Sequence, residues 1–267
     1  HGGIVSSSSA KTVPIRTVMS GPAAGVIASQ IIGNSIGLNN IMSFDMGGTS
    51  TDVSLISDSN IQTIDESYIE FGVPILFPSL LVETIGAGGG TISWLDKFGN
   101  LKSGPQSSGS YPGPACYGNG GKSPTVTDAH VLLGRIDPKM FLSGNKILNS
   151  QLSKNVIKNL SDDFGTDVIE TSFGIIKVTD SNMEKTMRKI STERGYDPRD
   201  FHLLAFGGAG PMHCIDLAHE MNMAGVIIPK FPGLTSAFGL LFADIKHDYI
   251  KTFNKSYETV DANHVEQ

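Results

Sequence analysis

The chain has 267 residues, 39% hydrophobic and 17% charged, with a formal net charge of −6. This composition is globular rather than disordered, and the length suits one large domain or two lobes. Scattered Lys and Arg argue against a nucleic-acid partner, and no stretch approaches the ~18 apolar residues of a membrane span. The opening HGGIVSSSS lacks the basic flank and apolar run of a secretory signal, and a start at His1 reads as a fragment of a longer polypeptide. Cys116 and Cys214 lie far apart and outside any C-x-x-C pattern, which disfavours a structural zinc site and points to a reducing, cytoplasmic compartment.

Ser20-Gly21-Pro22 is a helix-start signal for an apolar helix over residues 23–36, with Gly37 as its stop. The segment FDMGGTSTDVSLI follows at residues 44–56. Its two apolar runs meet at a double glycine, which predicts a tight β-hairpin. Residues 61–85 hold short apolar runs that predict further strands. A second glycine cluster, IGAGGGT at residues 85–91, precedes a strand at residues 92–95. Residues 104–124 are rich in Gly, Pro and Ser and predict a long ordered loop, since Tyr111, Cys116 and Tyr117 are unlike disordered sequence. A helix carrying Asp128, His130 and Leu132 is expected to follow Thr127 and to end at Gly134. Residues 148–162 and 168–194 have helical periodicity, with Gly195 as a C-cap. Residues 201–206 predict a buried strand, followed by the glycine turn GGAGP at residues 207–211 and a helix from Pro211 or Met212. A strand at 225–229, a helix at 234–242 and a strand at 247–253 complete an alternating α/β pattern.

The hairpin carries the chemistry. Gly47 and Gly48 keep side chains away from an anion, and successive N–H groups in such a turn form an anion-binding nest. Thr49, Ser50 and Thr51 add hydroxyl donors. Asp45 and Asp52 bracket the turn, and two carboxylates beside a phosphate suit Mg²⁺. An ordinary hairpin explains the same residues on turn chemistry alone. The sequence contains no Walker P-loop, and no G-x-G-x-x-G opens a helix early in the chain. The turn at residues 207–211 offers a second glycine surface at a helix start, where free N–H groups attract anions; close strand–helix packing asks for the same glycines. His213 beside it reads as hydrogen-bonded packing. Asp216 and His219 share a helical face, a weak metal signal. Cys116 reads as a small buried residue rather than a reactive thiol.

Five blocks in order, SGPAAGVIAS, FDMGGTSTDVSLI, TIGAGGGTISWLD, GPACYGNGGKSPTVTDAHVLLGRIDP and AFGGAGPMHCIDLA, resemble the hydantoinase A / 5-oxoprolinase family, which includes acetone and acetophenone carboxylase subunits. The resemblance runs to about residue 253 and leaves residues 254–267 as a tail or the start of a further domain. It implies an α/β lobe of the ribonuclease-H-like type shared by actin, sugar kinases and heat-shock chaperones, with a mixed sheet flanked by helices. It further implies ATP and Mg²⁺ as cofactors. The expected nucleotide-binding residues are Gly47, Gly48, Thr49, Ser50, Thr51, Gly88, Gly89, Gly207, Gly208, Gly210 and Pro211. Asp45 is expected to hold Mg²⁺ through water, and Asp52 to orient the attacking oxygen. The implied activity is ATP-dependent opening of a cyclic amide such as a hydantoin or 5-oxoproline through a phosphorylated intermediate. A carboxylase subunit for a ketone, a non-catalytic nucleotide-binding lobe and a metal-dependent amidase are the competing readings. The chain departs from the family at Glu83, where the block usually has histidine, and no upstream D-x-G-G-T-x-x-D copy precedes the hairpin. An N-terminal lobe and a hydantoinase B-type subunit are therefore the expected partners.

Overall fold

The computed structural model describes residues 2–17, 20–64, 67–69, 73–75 and 78–245. The chain opens with α1 (Ser7–Thr12) and α2 (Ser20–Ser35), followed by the hairpin β1 (Ile41–Met46) and β2 (Thr51–Ser57). Short strands follow: β3 (Asn60–Ile61), β4 (Thr63–Ile64), β5 (Ser67–Ile69), β6 (Val73–Ile75), β7 (Ser79–Leu80) and β8 (Val82–Ile85). Next come β9 (Thr91–Leu95), β10 (Leu101–Ser107), α3 (Val126–Leu132), α4 (Ser150–Phe164) and α5 (Val168–Ile190). The described residues end with β11 (His202–Phe206), α6 (Cys214–Glu220), β12 (Gly225–Ile227) and α7 (Thr235–Leu240).

The main sheet has the order β12-β11-β1-β2-β3, with β8 also on β2. β2 is antiparallel to β1, and its outer edge is shared: β8 pairs Thr51 to Ser54, and β3 pairs Ile56 and Ser57. On the other side β11 joins β1 in parallel, and β12 joins β11 in parallel. Parallel neighbours need a crossover: the segment between β10 and β11, which holds α3, α4 and α5, brings the chain back beside β1, and α6 links β11 to β12. An antiparallel meander extended by parallel strands is the ribonuclease-H-like arrangement expected from the sequence.

Alternation along the strands divides the core. Met42, Phe44, Met46, Val53, Leu55, Leu203 and Ala205 face one side, where Ile175, Met183 and Met187 of α5 meet them. Ile41, Ile56, Leu204 and Phe206 face the other, against Ala23 and Val26 of α2. Each fully buried side chain of this size contributes about 1.5–3 kcal/mol, so the hairpin stems are firmly anchored. Helix α7 lies on α2 at close range: a Cβ at Gly239 would strike the Ala24 carbonyl.

Several elements differ from the sequence reading. β10 extends to Ser107, so the glycine-rich loop is shorter than 104–124; a 3₁₀ turn at Ala115–Tyr117 also interrupts it. Helix α3 starts before Thr127 because Thr125 is its N-cap, in a reciprocal capping box with Asp128. The long helix ends at Ile190, and Gly195 caps the 3₁₀ turn Thr192–Arg194 instead. The expected helix at Pro211 is a 3₁₀ turn, Gly210–Met212, before α6. The strand expected at 247–253 lies outside the described residues.

Candidate functional site

Asp45 pairs with Asp52 and Met46 with Thr51 in register, leaving a four-residue turn closed by Gly47 N–H donating to the Ser50 carbonyl at 3.0 Å. The other two glycine segments fold onto this turn. Its consecutive carbonyls accept in order: Met46 from Ala209 N–H at 2.9 Å, Gly47 from Gly89 N–H at 3.0 Å, and Gly48 from Gly90 N–H at 2.7 Å. Thr127, at the start of α3, closes the set by donating both its N–H and its hydroxyl to the Gly89 carbonyl, each at 2.8 Å.

Around this junction opens a cavity of about 700 Å³, within the range of small-molecule sites. Gly47, Gly48, Thr49, Gly89, Gly90, Gly208 and Ala209 line one side. Tyr117, Arg135, Ile136, Met140, Phe141 and Leu142 line another. The first side is almost entirely backbone. Among the described residues the N–H groups of Gly48, Thr49 and Gly208 have no hydrogen-bond partner. The second side is apolar and aromatic, with the Tyr117 and Phe141 ring centroids 5.4 Å apart.

The glycines around the cavity fall into two kinds. Gly88 is required by the fold, since a Cβ there would sit 2.6 Å from the Gly48 carbon and the Thr49 nitrogen. Gly207 is also structural, with φ +79° and a Cβ position that collides with the Met46 carbonyl. Gly48 and Gly208 differ: a Cβ at either meets nothing within 4 Å, and neither has a left-handed φ. Both line the cavity, so a Cβ at either position would stand in open space on its wall. The cradle therefore has the dimensions and the donors for an anionic, phosphate-bearing group.

The aspartates lie elsewhere. By strand parity Asp45 and Asp52 sit on the α2 face of the sheet, and neither lines the cavity. The Ser236 hydroxyl of α7 donates to Asp45 at 3.1 Å, and the Thr84 hydroxyl of β8 donates to Asp52 at 2.5 Å. Burial raises the Asp45 pKa, the Ser236 bond opposes the rise, and repulsion from Asp52 adds to it. Burial likewise raises Asp52, against the Thr84 bond. Among the described residues no three acidic, His or Cys side chains gather as a metal cage. A partly buried carboxylate pair with a mutual repulsion nonetheless suits Mg²⁺, which keeps its waters and takes one or two carboxylates with phosphate oxygens.

The remaining expected residues are distributed as follows. The Thr51 hydroxyl is buried and donates to the Ala87 carbonyl at 2.6 Å, so it does not face the cavity. Ser50, Gly210 and Pro211 are adjacent to the junction but off the cavity wall. Asp216 pairs with Arg135 at 2.8 Å rather than with a metal. Glu83 pairs with Lys189 at 2.6 Å. Both cysteines are buried and unpaired, and burial raises the pKa of each thiol. The sequence reading missed Gly90, Thr127, Arg135 and the wall at 136–142. Arg135 and Thr127 sit within a recognised block, GPACYGNGGKSPTVTDAHVLLGRIDP, but no local spacing marks the wall.

Residues 1–249 match the family model described as hydantoinase/oxoprolinase. The chain belongs to the hydantoinase/oxoprolinase family. It is 38% identical over 254 residues to the caprolactamase subunit alpha of Pseudomonas jessenii, covering 94% of this chain and 36% of that protein. Two solved structures are similar. One is a nucleotide-free acetone carboxylase from a study of ATP-dependent acetone carboxylation, with TM-score 0.83, 33% identity and coverage of 91% of this chain and 34% of that one. The other is the ATP-dependent caprolactamase of Pseudomonas jessenii, with TM-score 0.75, 40% identity and coverage of 84% and 32%. The chain thus spans well under half the length of these relatives. No helix among its described residues is long and apolar enough to cross a membrane.

Proposed function

We propose that this chain is the nucleotide-binding lobe of an ATP-dependent hydrolase that opens a cyclic amide such as a hydantoin or 5-oxoproline. One observation carries the reading: three glycine segments far apart in sequence converge on one cavity, at which Gly48 and Gly208 leave room that the fold itself does not use. The N–H groups of Gly48, Thr49 and Gly208 bind the phosphates, and Ala209 and Met212 lie toward the adenosine. Asp45 and Asp52 flank the same turn from the α2 face rather than from the cavity wall; there Asp45 would hold Mg²⁺ through water and Asp52 would orient the attacking oxygen. An amide is a poor electrophile, and ATP supplies the phosphoryl group that turns its oxygen into a leaving group. Catalysis of that transfer rests on positioning and charge neutralisation, which this backbone cradle provides. The family relation to caprolactamase supports a lactam substrate. Relatives that are themselves subunits, caprolactamase alpha and acetone carboxylase beta, support a hydantoinase B-type partner subunit, and a second lobe would complete the nucleotide cleft. Two free, buried cysteines accord with a cytoplasmic setting.

A carboxylase subunit acting on a ketone is the second reading, favoured by the higher TM-score of the acetone carboxylase structure. The complete polypeptide with its partner subunit separates the two. ATP-dependent ring opening of a lactam supports the hydrolase, and ATP-dependent fixation of labelled bicarbonate into a ketone supports the carboxylase. For the site itself, MgATP is expected to raise the melting temperature of the wild-type protein. Gly48→Val and Gly208→Val are expected to fold and lose that shift, and Asp45→Ala to lose it as well. A retained shift in both glycine variants refutes the placement.

A further inference from the structure

Two walls of the cavity are joined behind it by a chain of three side chains. His130 lies on α3, whose first turn carries Thr127 and which leads into Arg135, both on the cavity wall. His213 directly follows Met212, which lines the cavity from the Ala209 segment. The two Nε2 atoms are 2.9 Å apart, and the rings meet edge to face with centroids 4.6 Å apart. His213 Nδ1 is 2.6 Å from the Asp180 carboxylate of α5. Both imidazoles are fully buried.

The geometry decides where the protons sit. One proton lies between the two Nε2 atoms. His130 Nδ1 is buried and has no hydrogen-bond partner among the described residues. If His130 accepted at Nε2, its own proton would reside on Nδ1 as a buried N–H with nothing to bond. If it donates, Nδ1 is only a bare lone pair. His130 therefore carries Nε2–H and donates to His213, which is neutral and donates its Nδ1–H to Asp180. Burial, then His213 and Arg135, push the His130 pKa down to about 2, in keeping with a neutral ring. Arg135 spans the same two walls at the surface, bonding the Met212 carbonyl at 3.2 Å and Asp216 at 2.8 Å.

We propose that His130 and His213, oriented by Asp180, form a strut that sets the spacing between the Thr127–Arg135 wall and the Ala209–Met212 wall, making both positioning residues for the ligand between them. Apolar side chains of this size would fill the same space, but packing tolerates sliding, whereas an N–H···N bond has one length and one direction. The strut's effect on nucleotide rests on the cavity being the nucleotide site.

The test uses the complete polypeptide and two substitutions. His130→Phe keeps an aromatic ring and removes the donor. His130→Gln restores an N–H near the Nε2 position. The Phe variant is expected to raise the KM for ATP about tenfold with kcat within about twofold, and the Gln variant to recover most of that loss. A Phe variant with unchanged KM overturns the strut. So does an equal loss in the Phe and Gln variants at equal melting temperatures. Histidine-selective ¹⁵N NMR reads the protons without any nucleotide: Nε2–H on His130 and Nδ1–H on His213 support the strut, and Nδ1–H on His130 overturns it. A wild-type protein that binds no nucleotide sinks the functional reading above, while the NMR result still decides the strut.

Discussion

Asp128 holds the cavity's loop wall in place, and its removal is open to a quantitative test. Its carboxylate is fully buried and accepts five hydrogen bonds. Oδ1 takes the Cys116 N–H at 2.9 Å and the Ser153 hydroxyl at 2.7 Å. Oδ2 takes the Ala115 and Thr125 N–H groups, each at 3.2 Å, and the Thr125 hydroxyl at 2.7 Å. Asp128→Ala leaves three backbone N–H groups without a partner, at about 1–3 kcal/mol each, while the N-cap Thr125 keeps its bond to the N–H of residue 128. The hydroxyls can rotate to other acceptors, and the variant no longer has to bury a carboxylate, so the net loss is about 3–5 kcal/mol. At roughly 2–4 °C per kcal/mol for a domain of this size, the melting temperature falls by about 10 °C. Asp128→Asn keeps the Oδ1 contacts but turns an NH₂ group toward two N–H donors, for a loss of about 2–3 kcal/mol. Urea denaturation of both variants measures these values, and limited proteolysis checks that residues 108–121 become the first cleavage site. An Asn variant within about 0.5 kcal/mol of wild type, or one worse than Ala, refutes the reasoning.

Three further outcomes are expected. Asp45→Asn stabilises the protein without nucleotide at neutral pH, because partial burial and the neighbouring Asp52 disfavour the charged form of the wild-type carboxylate. Its folded pKa is raised, so the protonated form's contribution is present at low pH and lost as pH rises through that value; the Asn advantage should shrink toward pH 4 in melts taken across pH, and an advantage independent of pH counts against it. Gly88→Ala forces a Cβ to within 2.6 Å of the hairpin backbone. It is expected to lower stability by about 2 kcal/mol or more in denaturation, whereas Gly48→Val leaves stability near wild type and removes nucleotide binding. Cys116 and Cys214 should resist a thiol reagent in the native protein and react only on unfolding; rapid native labelling of Cys116 contradicts its burial.

Much of the fold was legible in the residues. The apolar run Ile41, Met42 and Phe44 and the alternating Val53 and Leu55, meeting at a double glycine, marked the hairpin, because a central strand covered on both faces is apolar along its length. Helix periodicity marked α4 and α5 for the same kind of reason. Boundaries were less legible where they depend on distant partners: the start of α3 depends on Thr125 and Asp128 capping each other, and the start of the loop depends on β10 pairing with β9 as far as Ser107.

For the site, the sequence by itself determined the inventory: three glycine segments, two hairpin carboxylates and the blocks of a known family. Turn chemistry and backbone freedom are local, so they can be read locally. Only the tertiary structure decided which glycines meet, that Gly48 and Gly208 open onto a cavity while Gly88 and Gly207 serve the fold, and that both aspartates sit on the opposite face. It also joined His130 to His213 across 83 positions. Contacts of that kind arise from which faces are buried together, and burial is a property of the assembled layers that no short window of residues carries.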